Sequence, residues 1–254
     1  MINGSPRRVL VLGALSGVAE ATARLLAAEG AALALAGRRA DELAALADDL
    51  RVRGAASVST HVMDLMSEPD KAARLNEAAV ALGGIDAILL FYGSLGDQQK
   101  ADADIGEVRA IIEVNFTSAA EWLTLGATAL EASSAPRTVL IAASSVAGDR
   151  GRRSNYAYGA AKGALSIFMQ GLAHRLAATW RTRAVAVKLG FVKTAMTAHL
   201  ERGGPLWAEP EAVAATIVRT MTKGGPIVYA PWFWRWIMLA VRATPAVIFN
   251  KVNL

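Results

Sequence analysis

Residues 9–20 read VLVLGALSGVAE, and this stretch decides the fold class. A short run of Val and Leu, of strand length, passes directly into a turn with Gly13 and Gly17 and then into a helical pattern. At such a turn, backbone N–H groups and the positive end of the helix dipole are placed to hold a pyrophosphate. The stretch therefore predicts a buried first strand and a nucleotide-binding turn, with an ordinary strand-to-helix turn as the alternative.

The rest of the chain repeats this alternation of strand and helix. The seven predicted strands are 9–12, 32–36, 57–62, 87–91, 138–143, 184–189 and 226–230. Segments with apolar residues at helical spacing lie between them, around 17–29, 40–53, 68–82, 104–132, 155–179 and 209–222. This order predicts a Rossmann-like, doubly wound α/β sandwich of three layers, with a seven-stranded parallel sheet in the middle. Ligands in such folds bind at the carboxyl edge of the sheet, where the strand order reverses.

Composition narrows the classes of function. The chain has 254 residues, no cysteine and three histidines, at positions 61, 174 and 199, so neither disulfides nor a metal site are expected. The net charge of +5 comes from dispersed Lys and Arg without a basic and aromatic stripe, which argues against nucleic-acid binding. We find no linker, repeat, signal peptide or spanning segment, and therefore expect one cytoplasmic domain over residues 1–254.

Charged residues follow the second and third strands. Arg38 and Arg39 stand where a dinucleotide fold that selects NAD usually has an acid for the ribose 2′-hydroxyl. Arginine suits a 2′-phosphate, so the pair predicts NADP(H), with a solvated basic turn as the alternative. Asp64 ends the third strand, where its carboxylate can accept from an adenine amino group or cap a turn.

Residues 155–165, NYAYGAAKGAL, contain two tyrosines and a lysine. Tyr158 lies four residues before Lys162 and shares a helix face with it, whereas Tyr156 does not. A nearby ammonium favours the phenolate, so Lys162 is expected to lower the phenol pKa from its ordinary value of about 10. Ser145 ends the fifth strand, where its hydroxyl can bind a substrate oxygen.

In this order and spacing, the motifs resemble the short-chain dehydrogenase/reductase family over nearly the whole chain. They are the glycine turn, Asp64, Asn115 in EVNFTSA, the serine of ASSVAG, the Tyr158-Gly-Ala-Ala-Lys162 motif and the LGFVKT loop. The resemblance implies an NAD(P)-dependent oxidoreductase for C=O and CH–OH groups. Tyr158 would be its general acid, Ser145 would orient the substrate oxygen, and Asn115 would hold a water in the proton relay. Lys162 would bind the nicotinamide ribose and lower the phenol pKa.

The resemblance also implies a set of cofactor contacts. The predicted cofactor-binding residues are Gly13, Leu15, Ser16, Gly17, Val18, Arg38, Arg39, Asp64, Leu65, Gly93, Tyr158, Lys162, Val192 and Thr194. Val192 and Thr194 would contact the nicotinamide carboxamide and its neighbouring groups. The chain departs from the family pattern at Ala19, at Leu90-Phe91-Tyr92-Gly93 and at Leu189-Gly190, which replace the third glycine, Asn-Asn-Ala-Gly and Pro-Gly. None of these changes removes a predicted catalytic group.

The loops suggest a class of substrate. FYGSLGDQ, GDRGRRSNYAYGAAK, KTAMTAHL and the C-terminal sequence resemble the decaprenylphosphoryl-2-keto-ribose reductases. This closer resemblance implies an NADPH-dependent ketoreductase for a polyprenylphosphate-linked 2-keto sugar, and the family as a whole implies a homodimer or homotetramer. A soluble ketoreductase for a small or lipidic ketone is one alternative, and a cofactor-binding scaffold without turnover is another.

The C-terminal segment, residues 231–254, is rich in Trp, Leu-type residues and Arg. Such a mixture fits a helix that lies in a bilayer surface through residues 231–242, at the inner face of the membrane. A lid over the substrate or a contact between subunits is the alternative. The loop before the predicted catalytic tyrosine holds Arg150, Arg152 and Arg153, which suit either a substrate phosphate or solvent.

Overall fold

The computed structural model describes residues 7–198 and 203–251, so His199 and residues 252–254 lie outside the described residues. Its strands are β1 (Arg8–Leu12), β2 (Ala32–Gly37), β3 (Ser57–Val62), β4 (Ala87–Leu90), β5 (Thr138–Ser145), β6 (Thr182–Leu189), β7 (Phe191–Val192), β8 (Trp207–Ala208) and β9 (Ile227–Ala230). Seven of them form a parallel sheet in the order β3-β2-β1-β4-β5-β6-β9, which confirms the predicted fold. The strand order reverses between β1 and β4, while β7 and β8 pair separately.

Helices cover both faces of the sheet. They are α1 (Gly17–Ala28), α2 (Ala40–Val52), α3 (Lys71–Leu82), α4 (Gln98–Ala101), α5 (Ile105–Ile112), α6 (Ser118–Ala132), α7 (Tyr156–Leu176), α8 (Pro210–Thr220), α9 (Trp234–Ala243) and α10 (Ala246–Phe249). Alternate residues of each strand pack on opposite faces. In β1, Val9 and Val11 join the cluster under α1, α2 and α8, while Leu10 and Leu12 join the one under α3, α6 and α7. Burying each such side chain contributes about 1.5–3 kcal/mol of stability.

The helix predicted over 104–132 is interrupted. A π-helical turn, Glu113–Thr117, separates α5 from α6. Within this wider turn Asn115 is fully buried, and its Nδ2 donates to the Ile111 carbonyl at 2.9 Å and to the Ser94 carbonyl at 2.7 Å. Through Asn115, the turn connects the end of α5 to the loop after β4. The apolar periodicity of the sequence does not predict this contact. Such turns often occur at functional sites.

The described part of the C-terminal segment, residues 231–251, packs beside the loop that follows β5. Trp234 and Met238 of α9 are buried against Val146. Arg150 donates to the carbonyls at the end of α9, including Val241 at 2.7 Å, and its guanidinium lies 3.9 Å from the centre of the Phe249 ring. Among the described residues, no helix has the length and apolar character needed to cross a bilayer.

Candidate active site

Two adjoining cavities open at the carboxyl edge of the sheet, beside the reversal of strand order. Their volumes are about 1060 Å³ and 500 Å³. Both are lined by Leu15, Ser16 and Gly93, so together they form one cleft. The remaining predicted site residues lie in one or the other, except for Asn115. The larger cavity has Gly17, Val18, Ser145, Tyr158, Lys162, Val192 and Thr194, and the smaller has Gly13, Arg38, Arg39, Asp64 and Leu65.

Close packing of glycines brings α7 against the end of β5. A Cβ on Gly148 would lie 2.5 Å from the Gly163 backbone nitrogen, so no side chain fits between α7 and the turn Val146–Asp149. This contact holds the first turn of α7 beside Ser145. As a result, Ser145, whose Oγ accepts from the Ala147 N–H at 3.1 Å, lines the larger cavity beside the phenol of Tyr158.

The two tyrosines of α7 lie in different environments. Tyr158 is 7% exposed, and Lys162 Nζ lies 5.8 Å from the centre of its ring. Tyr156 is 45% exposed and donates from its hydroxyl to Asp102 Oδ1 at 2.9 Å. Tyr156 does not line the cleft. The four-residue spacing therefore identified the tyrosine that lies beside the buried lysine.

The ionisation of this pair differs from the sequence-based expectation. Burial raises the pKa of Tyr158 to about 12, and the nearby Ser145 hydroxyl only partly opposes this effect. Burial also lowers the pKa of Lys162 to about 8, and its Nζ donates to the Ala143 carbonyl at 3.1 Å. The expected lowering of the phenol pKa by Lys162 is thus not found, because both groups are desolvated. At neutral pH the phenol is protonated, which is the state that a proton donor requires.

Asn115 lies behind Gly93 and outside both cavities. Besides the two bonds that its Nδ2 donates, its Oδ1 accepts from the Ser94 backbone N–H at 3.2 Å. A Cβ on Gly93 would lie 2.6 Å from this oxygen and 3.2 Å from Lys162 Nζ, so only glycine lets the loop pass between them. The Asn115 side chain fixes the loop after β4, and its role in holding a water stays a prediction.

The glycine turn leaves several backbone donors free. Gly13 has a φ of +82°, and a Cβ there would lie 2.8 Å from the Tyr92 backbone nitrogen. Ser16 caps α1 by accepting from the Ala19 N–H at 3.2 Å. Within the described chain, the backbone N–H groups of Leu15, Gly17 and Val18 donate no hydrogen bond. This set of free donors at the start of a 12-residue helix suits a pyrophosphate.

The ends of β2 and β3 form the wall of the smaller cavity. Arg39 pairs with Glu42, with 2.7 Å between Nε and Oε1, whereas Arg38 is exposed and has no ion pair among the described residues. Asp64 Oδ1 accepts from the Met66 N–H at 3.0 Å, so the side chain caps the turn after β3, which was one of its two predicted roles. Its other predicted role, the contact with adenine, stays a prediction. Leu65 is buried, and its carbonyl accepts from two side chains of α6.

The apolar wall of the larger cavity is not predictable from sequence patterns. Phe191 of β7 stacks on Trp207 of β8, with ring centres 5.2 Å apart, and both line the cavity. Leu95, Val146 and Met196 line it as well. The two strands have only two residues each, too short for a periodic signal, and their pairing joins segments fifteen residues apart.

Taken together, the cleft fits a nicotinamide dinucleotide. The free N–H groups of the glycine turn would hold its pyrophosphate, and the smaller cavity beyond the end of β2 would hold the ribose of its adenosine half. Residues 7–204 match the family model for short chain dehydrogenases. The chain belongs to the short-chain dehydrogenase/reductase family. It is an NAD(P)-dependent oxidoreductase that acts on C=O and CH–OH groups, as the motifs predicted.

Relatives in this family match the chain almost from end to end. An uncharacterized oxidoreductase of Mycobacterium tuberculosis is 36% identical over 244 residues, which cover 96% of both chains. An uncharacterized oxidoreductase of Streptomyces coelicolor is 34% identical over 252 residues, covering 98% of this chain and 97% of the relative. These relatives carry no named substrate, so they support the family and the type of reaction.

Solved structures of short-chain dehydrogenases share the fold. An actinorhodin polyketide ketoreductase with NADPH superposes with a TM-score of 0.77 at 21% identity, covering 90% of this chain and 97% of that one. A short-chain dehydrogenase of Mycobacterium paratuberculosis bound to NAD also gives 0.77 at 21% identity, covering 87% and 94%. The same architecture therefore holds NADPH in one of these proteins and NAD in the other.

Proposed function

We propose that this short-chain dehydrogenase/reductase is an NADPH-dependent ketoreductase, which reduces a ketone to a secondary alcohol. The observation that carries the proposal is the buried, protonated phenol of Tyr158, which lines the larger cavity together with Ser145 and Lys162. A protonated phenol is ready to donate to a carbonyl oxygen as negative charge develops there. A scaffold that binds the cofactor without turnover does not require a proton donor in this cavity.

The residues of the chain have separate roles in this proposal. When bound, the nicotinamide cofactor supplies a hydride to the ketone carbon. Ser145 donates a hydrogen bond to the ketone oxygen, and Tyr158 transfers its phenolic proton to the same oxygen. Lys162, held by the Ala143 carbonyl, stabilises the phenolate that remains and binds the nicotinamide ribose.

Preference for NADPH is expected to depend on Arg38. We expect Arg38→Ala to weaken NADPH binding by about ten-fold or more, since it removes a charge-assisted hydrogen bond to the 2′-phosphate, and to leave NADH binding unchanged. Arg39→Ala should have a smaller effect because its guanidinium already pairs with Glu42. Fluorescence titration with both cofactors measures these affinities.

A matched control for this titration is Arg51→Ala, an exposed arginine at the other end of α2. It changes the net charge by the same amount, so an effect as large as that of Arg38→Ala would indicate a nonspecific electrostatic cause. Equal affinity of the wild-type protein for NADPH and NADH would contradict the assignment of the 2′-phosphate site.

For the substrate, we propose a polyprenylphosphate-linked 2-keto sugar. The sequence resemblance of the loops favours it, and the apolar wall of Phe191, Trp207 and Leu95 is compatible with a hydrocarbon chain. Turnover of NADPH with a short-chain polyprenylphosphate keto sugar, compared with simple ketones, tests the choice. Faster reduction of small neutral ketones would instead favour the alternative of a soluble ketoreductase.

We further propose that the C-terminal segment rests on an anionic membrane surface at the cytoplasmic side. Residues 231–254 contain three cations, Arg235, Arg242 and Lys251, and no acidic residue. Several large apolar side chains of this segment are exposed, namely Trp232, Trp236, Leu239, Val247 and Ile248. Exposed tryptophans beside arginines are typical of helices that lie in the headgroup region.

Vesicle binding should depend on the exposed tryptophans. We expect the double substitution Trp232→Ala/Trp236→Ala to weaken co-sedimentation with phosphatidylglycerol vesicles by about ten-fold, because it removes apolar area from the contact. Trp180→Ala, at an exposed tryptophan after α7, is the matched control and should bind as the wild type does. Loss of the expected homodimer or homotetramer in the double variant, without vesicle binding by the wild type, would identify the segment as a contact between subunits.

A further inference from the structure

The loop before α7 contains three arginines with different surroundings. Arg150 and Arg153 donate to backbone carbonyls of the C-terminal segment, the latter to Asn250 at 3.2 Å. They hold that segment in place and do not line the larger cavity, whereas the sequence left a substrate phosphate and solvent open for all three arginines. Arg152, between them, instead lines the larger cavity together with Ser145 and Tyr158. It is therefore the arginine of this loop that a bound substrate meets.

The charge of Arg152 has no partner among the described residues. Its side chain is half-buried, and it forms neither an ion pair nor a hydrogen bond there. Burial lowers the pKa of Arg152, while the carboxylate of Asp149 opposes that effect from a distance. Both oxygens of Asp149 are occupied, one by Lys188 and the other by the hydroxyl of Tyr229 at 2.8 Å. An anion bound beside a partly desolvated guanidinium in this position would stabilise it.

The other side chains that line the larger cavity indicate which chemical groups accompany the anion in a substrate. Asn155 Oδ1 is buried without a hydrogen-bond partner in the described chain, and Asn155 lines the same cavity. Among the described residues that line the cavity, the acidic one is Asp97, and its Oδ1 caps α4 by accepting from the Lys100 N–H at 3.1 Å. The apolar wall of Phe191 and Trp207 completes the cavity. The cavity thus offers a cation, a polar side chain and an aromatic surface.

We propose that Arg152 binds an anionic group of the substrate, a carboxylate or a phosphate, while Asn155 hydrogen-bonds a neighbouring polar group and Phe191 and Trp207 contact an apolar portion. The planar guanidinium can bind either anion through two parallel hydrogen bonds. The substrate class is therefore an anionic ketone with an apolar part. This proposal deepens the proposed ketoreductase function and rests on it for the ketone group of the substrate. The binding of the anion by Arg152 does not depend on that function.

Three aromatic ketones of similar shape test the assignment: 4-acetylbenzoate, 4-acetylphenyl phosphate and the neutral methyl 4-acetylbenzoate. Their affinities are measured by calorimetry for the wild-type protein, with and without NADP⁺, since the oxidised cofactor allows no reduction of the ketone. Both anions, or one of them, should bind more tightly than the neutral ester. Arg152→Ala should weaken binding of the preferred anion by about ten- to a hundred-fold and leave the ester unchanged. Arg152→Lys should keep part of the preference, because it retains the charge without the planar fork.

Arg153→Ala is the matched control, since it removes the same charge one residue away and outside the cavity. The anionic probe that loses more affinity in Arg152→Ala shows whether the site prefers a carboxylate or a phosphate. Equal affinity of the charged and neutral probes, including equally weak binding of all three, would overturn the proposal. So would an equal loss in Arg152→Ala and Arg153→Ala.

Failure of the proposed function gives a different result from failure of this inference. Binding of an anion that depends on Arg152, without reduction of any ketone by NADPH, would support the anion site and contradict the ketoreductase. Reduction of the ester at the same kcat/KM as the anions, unchanged in Arg152→Ala, would support the ketoreductase and contradict the anion site.

Discussion

Replacement of Tyr158 with phenylalanine is expected to lower kcat for ketone reduction by about 10²- to 10⁴-fold, the usual contribution of a positioned general acid. The phenyl ring fills the same buried space, so NADPH affinity should stay within about two-fold of the wild-type value. The expected loss lies in kcat because the proton is transferred in the chemical step. Steady-state kinetics with NADPH and a ketone, together with fluorescence titration of NADPH, separate these two effects.

Tyr156→Phe is the matched control for this prediction. It removes the same hydroxyl two residues earlier, from an exposed side chain whose partner is Asp102. We expect kcat to remain within about two-fold of the wild-type value. A Tyr158→Phe protein with normal kcat would contradict the assigned proton donor and would favour a cofactor-binding scaffold.

Asp149→Asn is expected to destabilise the protein by about 3–5 kcal/mol, because it leaves the ammonium of Lys188 buried without a counter-charge. The side chains of Asp149 and Lys188 are 2% and 8% exposed, and the Tyr229 hydroxyl donates to the same carboxylate. This network joins β6 and β9 to the turn that follows Ser145. Urea denaturation measures the change in the free energy of unfolding.

Two further variants separate the buried pair from a general effect of charge. Asp48→Asn breaks the exposed ion pair with Arg51 and should change stability by about 1 kcal/mol or less. The double substitution Asp149→Leu/Lys188→Met replaces both charges by apolar groups and should recover much of the lost stability. A small effect of Asp149→Asn, equal to that of Asp48→Asn, would contradict the account of the buried network.

The fold was largely predictable because each local pattern agrees with the sheet. The run of Val and Leu before Gly13 has the composition of a strand buried on both faces, and such strands require helices on each side. The interruption at Glu113–Thr117 was not predictable, because the π-helical turn depends on Asn115 reaching the loop after β4. The pairing of β7 with β8 likewise depends on tertiary contacts.

The candidate site was predictable where spacing alone decides the contact. Four residues between Tyr158 and Lys162 suffice to place both on one helix face. Spacing did not reveal their ionisation, since the raised pKa of Tyr158 comes from burial by distant segments. The different surroundings of Arg150 and Arg152 likewise depend on where the C-terminal segment packs, which no local pattern of the loop specifies.

The most direct test of the ketoreductase assignment is transfer of deuterium from NADPH labelled at both C4 positions. The purified protein is incubated with the labelled cofactor and a panel of ketones that includes the anionic probes and the polyprenylphosphate keto sugar, and the alcohols are analysed by mass spectrometry. We predict one deuterium on the carbinol carbon of the product with the wild-type protein and at most trace product with Tyr158→Phe. Tight binding of NADPH without a labelled alcohol from any ketone in the panel would contradict the proposed ketoreductase.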